Sequence, residues 1–307
     1  MQNTPNTRLA IKVLLALVVL AGKSKGLAAQ TELHFRTVND NLIVASLQSG
    51  QKEDFDFILD TGADTTIIDP SIAARLGFQA IDRIPQTTLS RVQKVTRGSI
   101  RSLSAGSAQT DHLVVLVEDL SALRRIDGKI RGIAGQNFLA HFNYLLDYRR
   151  HTVTFENGTE IDGAVAGQRV PIDARENRML VTLMTGNQNS LTLMLDSGAS
   201  QVVLLRAASK AIDPARQTTA VLTTSTGQAA VLKGSIRELR IGSERLRDVP
   251  ANASLAQPAE RIGDGMLPTS LFQALYVNNR ESFVVFNPRE SRPSSPSSRM
   301  PAPAEAQ

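Results

Sequence analysis

The sequence predicts an all-β protein built from two similar domains in tandem, and three observations support this prediction. The chain has 307 residues, and domains average about 150 residues, so two are expected. The body of the chain repeats itself at a constant offset of 136 residues. Within each copy, apolar and polar residues alternate with a period of two, which is typical of half-buried strands.

The repeat is visible at four pairs of landmarks in the same order in both halves. The best preserved segments, GSIRSLSAGS from Gly98 and GSIRELRIGS from Gly234, agree at seven of ten positions. The four pairs are Gly50 with Gly186, Asp60 with Asp196, Gly98 with Gly234, and, at an offset of 133, Gly132 with Gly265. Repeats of this kind indicate a duplicated structural unit.

The repeat divides the chain into five predicted segments. They are a leader at residues 1–29, domains at 31–158 and 168–288, a linker at 159–167, and a tail at 289–307. The tail is rich in Pro, Ser and Ala and has no apolar periodicity, so we expect it to be disordered.

Alternating residues predict strands at Phe55–Leu59 and Leu191–Leu195. Brief helices are predicted at 71–76 and 138–142. Ser225-Thr226-Gly227-Gln228 predicts a hairpin tip in the second half, with a less distinct one near Arg91-Val92. Gly98 and Gly234 are interpreted as turn glycines.

Composition excludes several classes of protein. The chain has no cysteine, so neither a disulfide scaffold nor a cysteine nucleophile is available. The formal charge of +5 falls to +1 without the leader, so nothing points to nucleic acid. The four histidines show no ligand spacing, and we expect neither metal nor cofactor.

The first 29 residues have the layout of a secretory signal. Arg8 and Lys12 precede the apolar run Val13–Ala21, and small residues follow, with cleavage expected after Ala28 or Ala29. The run is about half as long as a membrane-spanning helix. We expect a secreted or periplasmic protein that is not inserted in a membrane after cleavage. An uncleaved signal anchor is the alternative.

The candidate chemistry lies in two short loops. Asp60 and Asp196 each end an apolar strand and are followed by Thr or Ser, then Gly, then Ala. If the two halves pack about a two-fold axis, the two carboxyl groups meet at its centre and share one proton. One carboxyl can then act as general base on a water, and the other as general acid.

The residues next to each aspartate support such a site. The hydroxyls of Thr61 and Ser197 can hydrogen-bond across the interface, and Gly62 and Gly198 allow the chain to turn sharply. The other interpretation is structural, since an Asp-Thr-Gly can be a strand-end turn with a hydrogen-bonding Asp.

The motifs DTGADTT at Asp60–Thr66 and DSGAS at Asp196–Ser200 resemble the active-site loops of the retropepsin-like and pepsin-like aspartic proteases, in particular the bacterial type with two retropepsin-like domains. IAGQNFL at Ile133–Leu139 is similar to the segment that packs behind the loop in this family. The resemblance implies two β-barrel domains that form a bilobal pseudo-dimer within one chain. It also implies a monomer that binds a peptide or protein substrate and needs no cofactor.

The resemblance also implies roles for other residues. Asp64 corresponds to an aspartate that holds the substrate backbone, with Ser200 in its place in the second loop, and Gly227 is a further candidate substrate contact. An equally weighted interpretation is that Asp64 forms a structural ion pair instead of contacting the substrate. Pro268 departs from the family pattern because the first half has Gly135 there, and it predicts a looser second half.

The sequence thus predicts an aspartic endopeptidase that uses Asp60 and Asp196. Two alternatives remain: a non-catalytic two-lobed peptide-binding module, and an enzyme in which each half pairs with another chain.

Ala63 and Ala199 stand where pepsin-like enzymes usually carry a hydroxyl that donates to a catalytic carboxylate. We therefore expect an activity optimum in weak acid, since loss of this donor raises the carboxyl pKa.

Overall fold

A computed structural model describes residues 31–39, 41–50, 52–87, 92–156, 161, 165–224, 227–254 and 263–290. The predicted leader, the hairpin-tip residues Ser225 and Thr226, and residues 291–307 lie outside this range. In the described part of the chain, no helix is both long and apolar enough to cross a membrane.

Strands dominate the described residues, which confirms the predicted all-β class. In the first half they are β1 Thr31–Val38, β2 Leu42–Ser49, β3 Asp54–Leu59, β4 Thr66–Ile68, β5 Gln79–Thr87, β6 Val92–Ala105, β7 Ala108–Val117, β8 Ile130–Ala134, β9 Asn143–Asp147 and β10 Thr152–Glu156. Three short helices accompany them: α1 Pro70–Ala73, α2 Ser121–Ile126 and α3 Gln136–Leu139.

The second half repeats this order. Its strands are β11 Val165–Ala166, β12 Arg169–Pro171, β13 Asp173–Arg175, β14 Arg178–Thr185, β15 Ser190–Asp196, β16 Val202–Leu204, β17 Thr218–Thr224, β18 Gly227–Ile241, β19 Glu244–Ser254, β20 Gly265–Pro268, β21 Ala274–Asn278, β22 Phe283–Phe286 and β23 Arg289–Glu290. Three 3-10 turns lie at Arg206–Ala211, Pro214–Arg216 and Thr269–Leu271.

Each half contains a closed six-stranded barrel, as the duplicated sequence predicts. In the first, hydrogen bonding runs β2-β3-β8-β4-β7-β6 and returns to β2. In the second it runs β14-β15-β20-β16-β19-β18 and returns to β14. One outer strand extends each barrel as a hairpin, β5 on β6 and β17 on β18.

A single antiparallel sheet joins the two barrels. Its strand order is β12-β22-β21-β9-β10-β1, and β21 of the second half pairs with β9 of the first. Strand β1 belongs to both units, because its first four residues pair with β10 and its last four with β2. The sheet holds the two barrels in a fixed relation, and with them the two Asp-Thr/Ser-Gly loops.

Burial follows the alternation that the sequence shows. In β3 the burial increases toward Leu59, and in β15 every residue from Leu193 to Asp196 is buried. Side chains of both halves, among them Phe57 and Leu195, belong to one apolar cluster. The polar loops that follow β3 and β15 therefore begin directly after buried, well-packed strand ends.

Several local predictions need correction. The two helices begin before the predicted positions, at Pro70 and Gln136, because Asp69 caps the first by accepting from Ser71 N and Gly135 precedes the second. Gly98 and Gly234 are not turn residues. Both lie inside long strands, and a Cβ on Gly98 would overlap the Phe78 ring.

The predicted linker and tail also contain structure. Val165–Ala166 pairs with Arg289–Glu290 as a two-stranded sheet, so the tail cannot begin before residue 291. The second barrel closes with Pro268 in register opposite Asp196. Because Pro268 ends its strand, its missing N–H removes no interior ladder bond, and the expected loosening of the second half is not seen there.

A substitution at Gly265 tests the close packing of β20 against β16 in the second barrel. Its φ is +150°, and a Cβ at this position would lie 2.0 Å from the backbone oxygen of Val203. We expect Gly265→Ala to lower the free energy of unfolding by about 2 kcal/mol or more, since backbone on a neighbouring strand must move. Chemical denaturation measures this change. Gly128→Ala is the control, because the nearest atom to its Cβ is 3.9 Å away; equal effects would contradict the predicted packing.

Candidate active site

Two equivalent loops meet where the barrels face each other. Asp60 directly follows β3, and its backbone N–H donates to Ala134 O of the neighbouring parallel strand β8 at 2.9 Å. Asp196 ends β15, which is parallel to β20. Each aspartate is therefore held at the end of a buried parallel pair, and the chain must turn away immediately after it.

Four hydrogen bonds between the loops lock the lobes together. The Thr61 hydroxyl accepts from Ser197 N at 3.0 Å and donates to Leu195 O at 3.0 Å. The Ser197 hydroxyl accepts from Thr61 N at 2.9 Å and donates to Leu59 O at 2.8 Å. Both side chains are buried. Each hydroxyl thus uses both its donor and its acceptor capacity on the opposite lobe.

This lock brings the carboxyl groups of Asp60 and Asp196 close enough that each shifts the pKa of the other. The glycine of each loop packs on the aspartate of the other. A Cβ on Gly62 would lie 2.5 Å from Cγ of Asp196, and one on Gly198 would lie 3.0 Å from Oδ2 of Asp60. Only glycine leaves room for this arrangement without displacement, which explains why both loops carry it.

Backbone N–H groups turn toward each carboxyl group from its own loop. Gly62 N donates to Asp60 Oδ1 at 2.8 Å. Gly198 N and Ala199 N donate to Asp196 Oδ1 at 2.8 and 3.1 Å. These donors favour the charged form of each carboxyl. The methyl side chains of Ala63 and Ala199 add no further donor.

Burial outweighs these donors and raises the pKa of both aspartates. Asp196 is only 8% exposed. Desolvation, followed by repulsion from Asp60, raises the pKa of Asp196 to about 7, against the lowering effect of the backbone donors. Desolvation also raises the pKa of Asp60, although the hydrogen bond from Asp196 acts in the opposite direction. These raised pKa values favour a protonated carboxyl in the pair in weak acid.

The other predicted site residues lie at different places. The Asp64 carboxylate is half exposed and 3.5 Å from the guanidinium of Arg178, so it forms an ion pair with the opposite lobe. Its counterpart Ser200 is exposed. Gly227 begins β18, opposite Thr224, next to the tip of the second hairpin.

Several residues near the loops were not predicted from the sequence. Asn41 donates to Gly198 O across the interface at 2.8 Å. Beneath the loops, the buried Gln136 donates to Thr61 O at 3.4 Å, and the Tyr148 hydroxyl contacts that of Thr269 at 2.6 Å. Gln136 and Thr269 occupy equivalent positions at the offset of 133, which is the signal that could have identified them.

The charge of Asp196 also affects the pKa of Tyr148. Burial raises the pKa of its hydroxyl, and the negative charge of Asp196 raises it further. The tyrosine hydroxyl is therefore neutral at any pH where the carboxyl pair titrates, and it acts as a dipole rather than a charge.

We expect loss of either interlobe hydroxyl to destabilise the protein. Thr61→Val and Ser197→Ala each remove two buried hydrogen bonds and leave an N–H of the other loop unpaired, at about 2 kcal/mol or more. Chemical denaturation measures this loss. The control is Thr182→Val, because Thr182 is exposed and contacts Thr192 at 3.5 Å only. If the free energy of unfolding falls no more than in this control, the interlobe hydrogen bonds do not stabilise the protein.

The raised pKa of Asp196 predicts a defined pH dependence of stability. Between about pH 4 and 7 the folded protein binds more protons at this group than the unfolded chain, so stability falls as pH rises. Asp196→Asn removes this penalty and should raise the melting temperature at pH 7 more than at pH 4. The exposed aspartate variant Asp54→Asn is the control. A gain that is the same at both pH values would contradict the raised pKa.

Comparison with known proteins agrees with the fold and with the repeat. A model of the aspartyl protease family matches residues 45–138 and 181–271, one match in each half and together more than half of the chain. A search of curated proteins finds no match. Among solved structures, Basic 7S globulin from soybean is similar with a TM-score of 0.46 and 10% identity, over 84% of this chain and 95% of that one. The two family matches contain the two Asp-Thr/Ser-Gly loops, and the chain therefore belongs to the aspartyl protease family.

Proposed function

We propose that the protein is an aspartic endopeptidase in which Asp60 and Asp196 activate a water for attack on a peptide bond. The observation that carries this proposal is the close approach of the two aspartates, in which the glycine of each loop packs on the aspartate of the other, Asp196 being buried and Asp60 half-buried. Both groups have a raised pKa. A binding module gains nothing from two like charges held together, because their burial is costly. A shared proton is useful when one group must accept a proton while the other donates one.

The reaction proceeds without a covalent enzyme intermediate. The ionised carboxyl takes a proton from water as the water oxygen bonds to the peptide carbonyl carbon. The protonated carboxyl gives its proton to the carbonyl oxygen. In the second step the C–N bond breaks, the leaving nitrogen takes the proton held by the first carboxyl, and a hydroxyl of the diol returns a proton to the second.

Burial raises the pKa of both aspartates, so we expect the pair to hold one proton in weak acid. The protonated carboxyl is then the general acid and its ionised partner the general base, and the two groups titrate together. Any measured pH profile belongs to the coupled pair rather than to either residue.

Other residues position the reacting groups. Thr61 and Ser197 brace the carboxyl pair, and Gly62 and Gly198 allow its close approach. A substrate backbone contact by Asp64 and Ser200 is part of the proposal. Because both loops belong to one chain, we further propose that a monomer is active. Its specific activity should then not change on dilution, unlike that of an enzyme assembled from two chains.

Mutation of the aspartates tests the proposal. We expect Asp60→Asn and Asp196→Asn each to reduce hydrolysis of a quenched-fluorescence peptide library by about 100-fold or more, since an amide can serve neither as base nor as acid. The wild-type optimum should lie in weak acid. Asp54→Asn is the control, and circular dichroism establishes that each variant is folded.

Two results would contradict the proposal. One is wild-type hydrolysis that survives in either asparagine variant. The other is a folded wild-type protein that binds a statine-type transition-state analogue but cleaves no library peptide between pH 3 and 8, which would favour the peptide-binding module.

A further inference from the structure

The first active-site loop is fastened from behind by its own lobe. Helix α3 lies against the loop, and Gln136 N donates to Ala63 O at 2.7 Å. Asn137 N donates to Asp64 O at 3.2 Å, and the Asn137 side-chain oxygen accepts from Thr66 N at 2.7 Å. These three hydrogen bonds hold the loop around Asp64 independently of the other lobe.

The second loop lacks this support, because Pro268 stands where the first half has Gly135. A Cβ on Gly135 would lie 2.7 Å from Ala63 O, so the first loop packs directly on a residue without a side chain. Proline carries a Cβ, and the same close approach is not open to the second loop. Among the described residues, no hydrogen bond joins the 3-10 turn Thr269–Leu271 to residues 198–201.

A side chain of the first lobe reaches the second loop instead. Asn41 directly precedes strand β2 and is only 6% exposed. Its side-chain amide nitrogen donates to Gly198 O across the interface at 2.8 Å. A carbonyl oxygen can only accept, so the donor must be the NH2 half of the carboxamide. The buried Asn41 is therefore oriented by a hydrogen bond to the loop that carries Asp196.

The hydrogen bond from Asn41 acts on the same peptide group that faces Asp196. A trans peptide is planar, and the C=O of Gly198 and the N–H of Ala199 point in opposite directions from it. The Ala199 N–H donates to Asp196 Oδ1 at 3.1 Å. A donor on the carbonyl fixes the plane of this peptide and also polarises it, which strengthens the N–H on its other side.

The duplicated position in the other half makes no equivalent contact. Asn177 corresponds to Asn41 at the offset of 136. It is exposed, with φ of +60°, and in the described range no hydrogen bond joins it to Gly62 O, the counterpart of Gly198 O. Support by an asparagine across the interface is thus one-sided, and it goes to the loop that Pro268 leaves unfastened.

We propose that Asn41 is a positioning residue for Asp196, holding the Gly198–Ala199 peptide so that its N–H is directed at the Asp196 carboxyl. Asn41 acts through this peptide and not by contact with the reacting atoms. This inference rests on the proposed function, because it adds a support to the same carboxyl pair. The N–H donor favours the ionised carboxyl, so a misdirected N–H should raise the pKa of the pair.

Two titratable side chains in the described part of the chain act electrostatically on Asp196. Asp60 is its charged neighbour, and Tyr148 is the other group that interacts with it. Burial holds the pKa of Tyr148 above its ordinary value of about 10, so this hydroxyl is neutral at pH 9 and below. Between pH 4 and 9, the charge at this place therefore changes through Asp60 and Asp196 themselves.

A double-mutant cycle in stability tests the proposal without reference to hydrolysis. Asn41→Ala should lower the melting temperature at pH 4, where it removes a buried hydrogen bond, and by about 2 °C more at pH 9. The additional loss arises because Asp196 is ionised only at the higher pH, and a further raised folded-state pKa makes its ionisation more costly. In the Asp196→Asn background, the loss should be the same at both pH values.

Matched variants serve as controls. Asn278→Ala removes a buried asparagine on β21, 2% exposed, and should destabilise the protein equally at pH 4 and pH 9. Asn177→Gly removes the carboxamide at the duplicated position and keeps a backbone that tolerates positive φ, so the pH dependence should not change. Asn41→Ser keeps a shorter donor and should lie between the wild type and Asn41→Ala. It takes the place of the alanine variant if that variant does not fold.

The same variants are compared in hydrolysis. The acidic limb of kcat/KM should move upward by about 0.5 pH unit in Asn41→Ala, because that limb reports ionisation in the free enzyme. We expect kcat at the optimum to fall about fivefold or more and KM to change less than about twofold, since Asn41 positions the carboxyl pair and does not bind the substrate.

The outcomes separate this inference from the proposed function. An equal loss of melting temperature at both pH values, or a pH-dependent loss that persists in the Asp196→Asn background, would overturn the role of Asn41 and leave the endopeptidase proposal intact. An acidic limb that stays in place in folded Asn41→Ala would do the same. If the wild-type protein cleaves nothing, the melting cycle still decides the role of Asn41.

Discussion

The reciprocal hydrogen bonds between Thr61 and Ser197 are the constraint on which the site depends. Each hydroxyl reaches across to a backbone N–H and a backbone carbonyl of the opposite loop. Because these groups are buried, breaking one bond leaves unpaired polar atoms that water does not reach. The lock therefore fixes the distance between loops that lie 136 residues apart in the chain.

Holding the loops together brings two carboxyl groups close to each other, with Asp196 buried and Asp60 half-buried. Backbone N–H donors from Gly62, Gly198 and Ala199 offset part of the desolvation penalty, but the pKa of both aspartates remains raised. The strands beneath and the sheet shared by the lobes must supply the compensating stability. Storage of destabilising interactions at a reactive centre, with compensation elsewhere, is expected of functional sites.

The two lobes are similar at the carboxyl pair and different around it. Asp64 in the first loop meets Arg178, whereas the equivalent positions carry Ser200 and Leu42. Asn41 bonds to Gly198 on the other side. The two halves are therefore equivalent at the carboxyl pair and differ at the residues around it.

Sequence alone determined the all-β class, the duplication, the two Asp-Thr/Ser-Gly loops and the cross-bonding of Thr61 with Ser197. These features are local or repeated, and period-two alternation and a constant offset express them directly. Only the tertiary structure decided which distant residues meet, such as Asp64 with Arg178, Tyr148 with Thr269, and Asn41 with Gly198. It also placed Gly98 inside a long strand rather than a turn, because the overlap with Phe78 arises only once β5 and β6 pair. Such contacts depend on barrel closure and lobe packing, and no short-range pattern in the sequence encodes them.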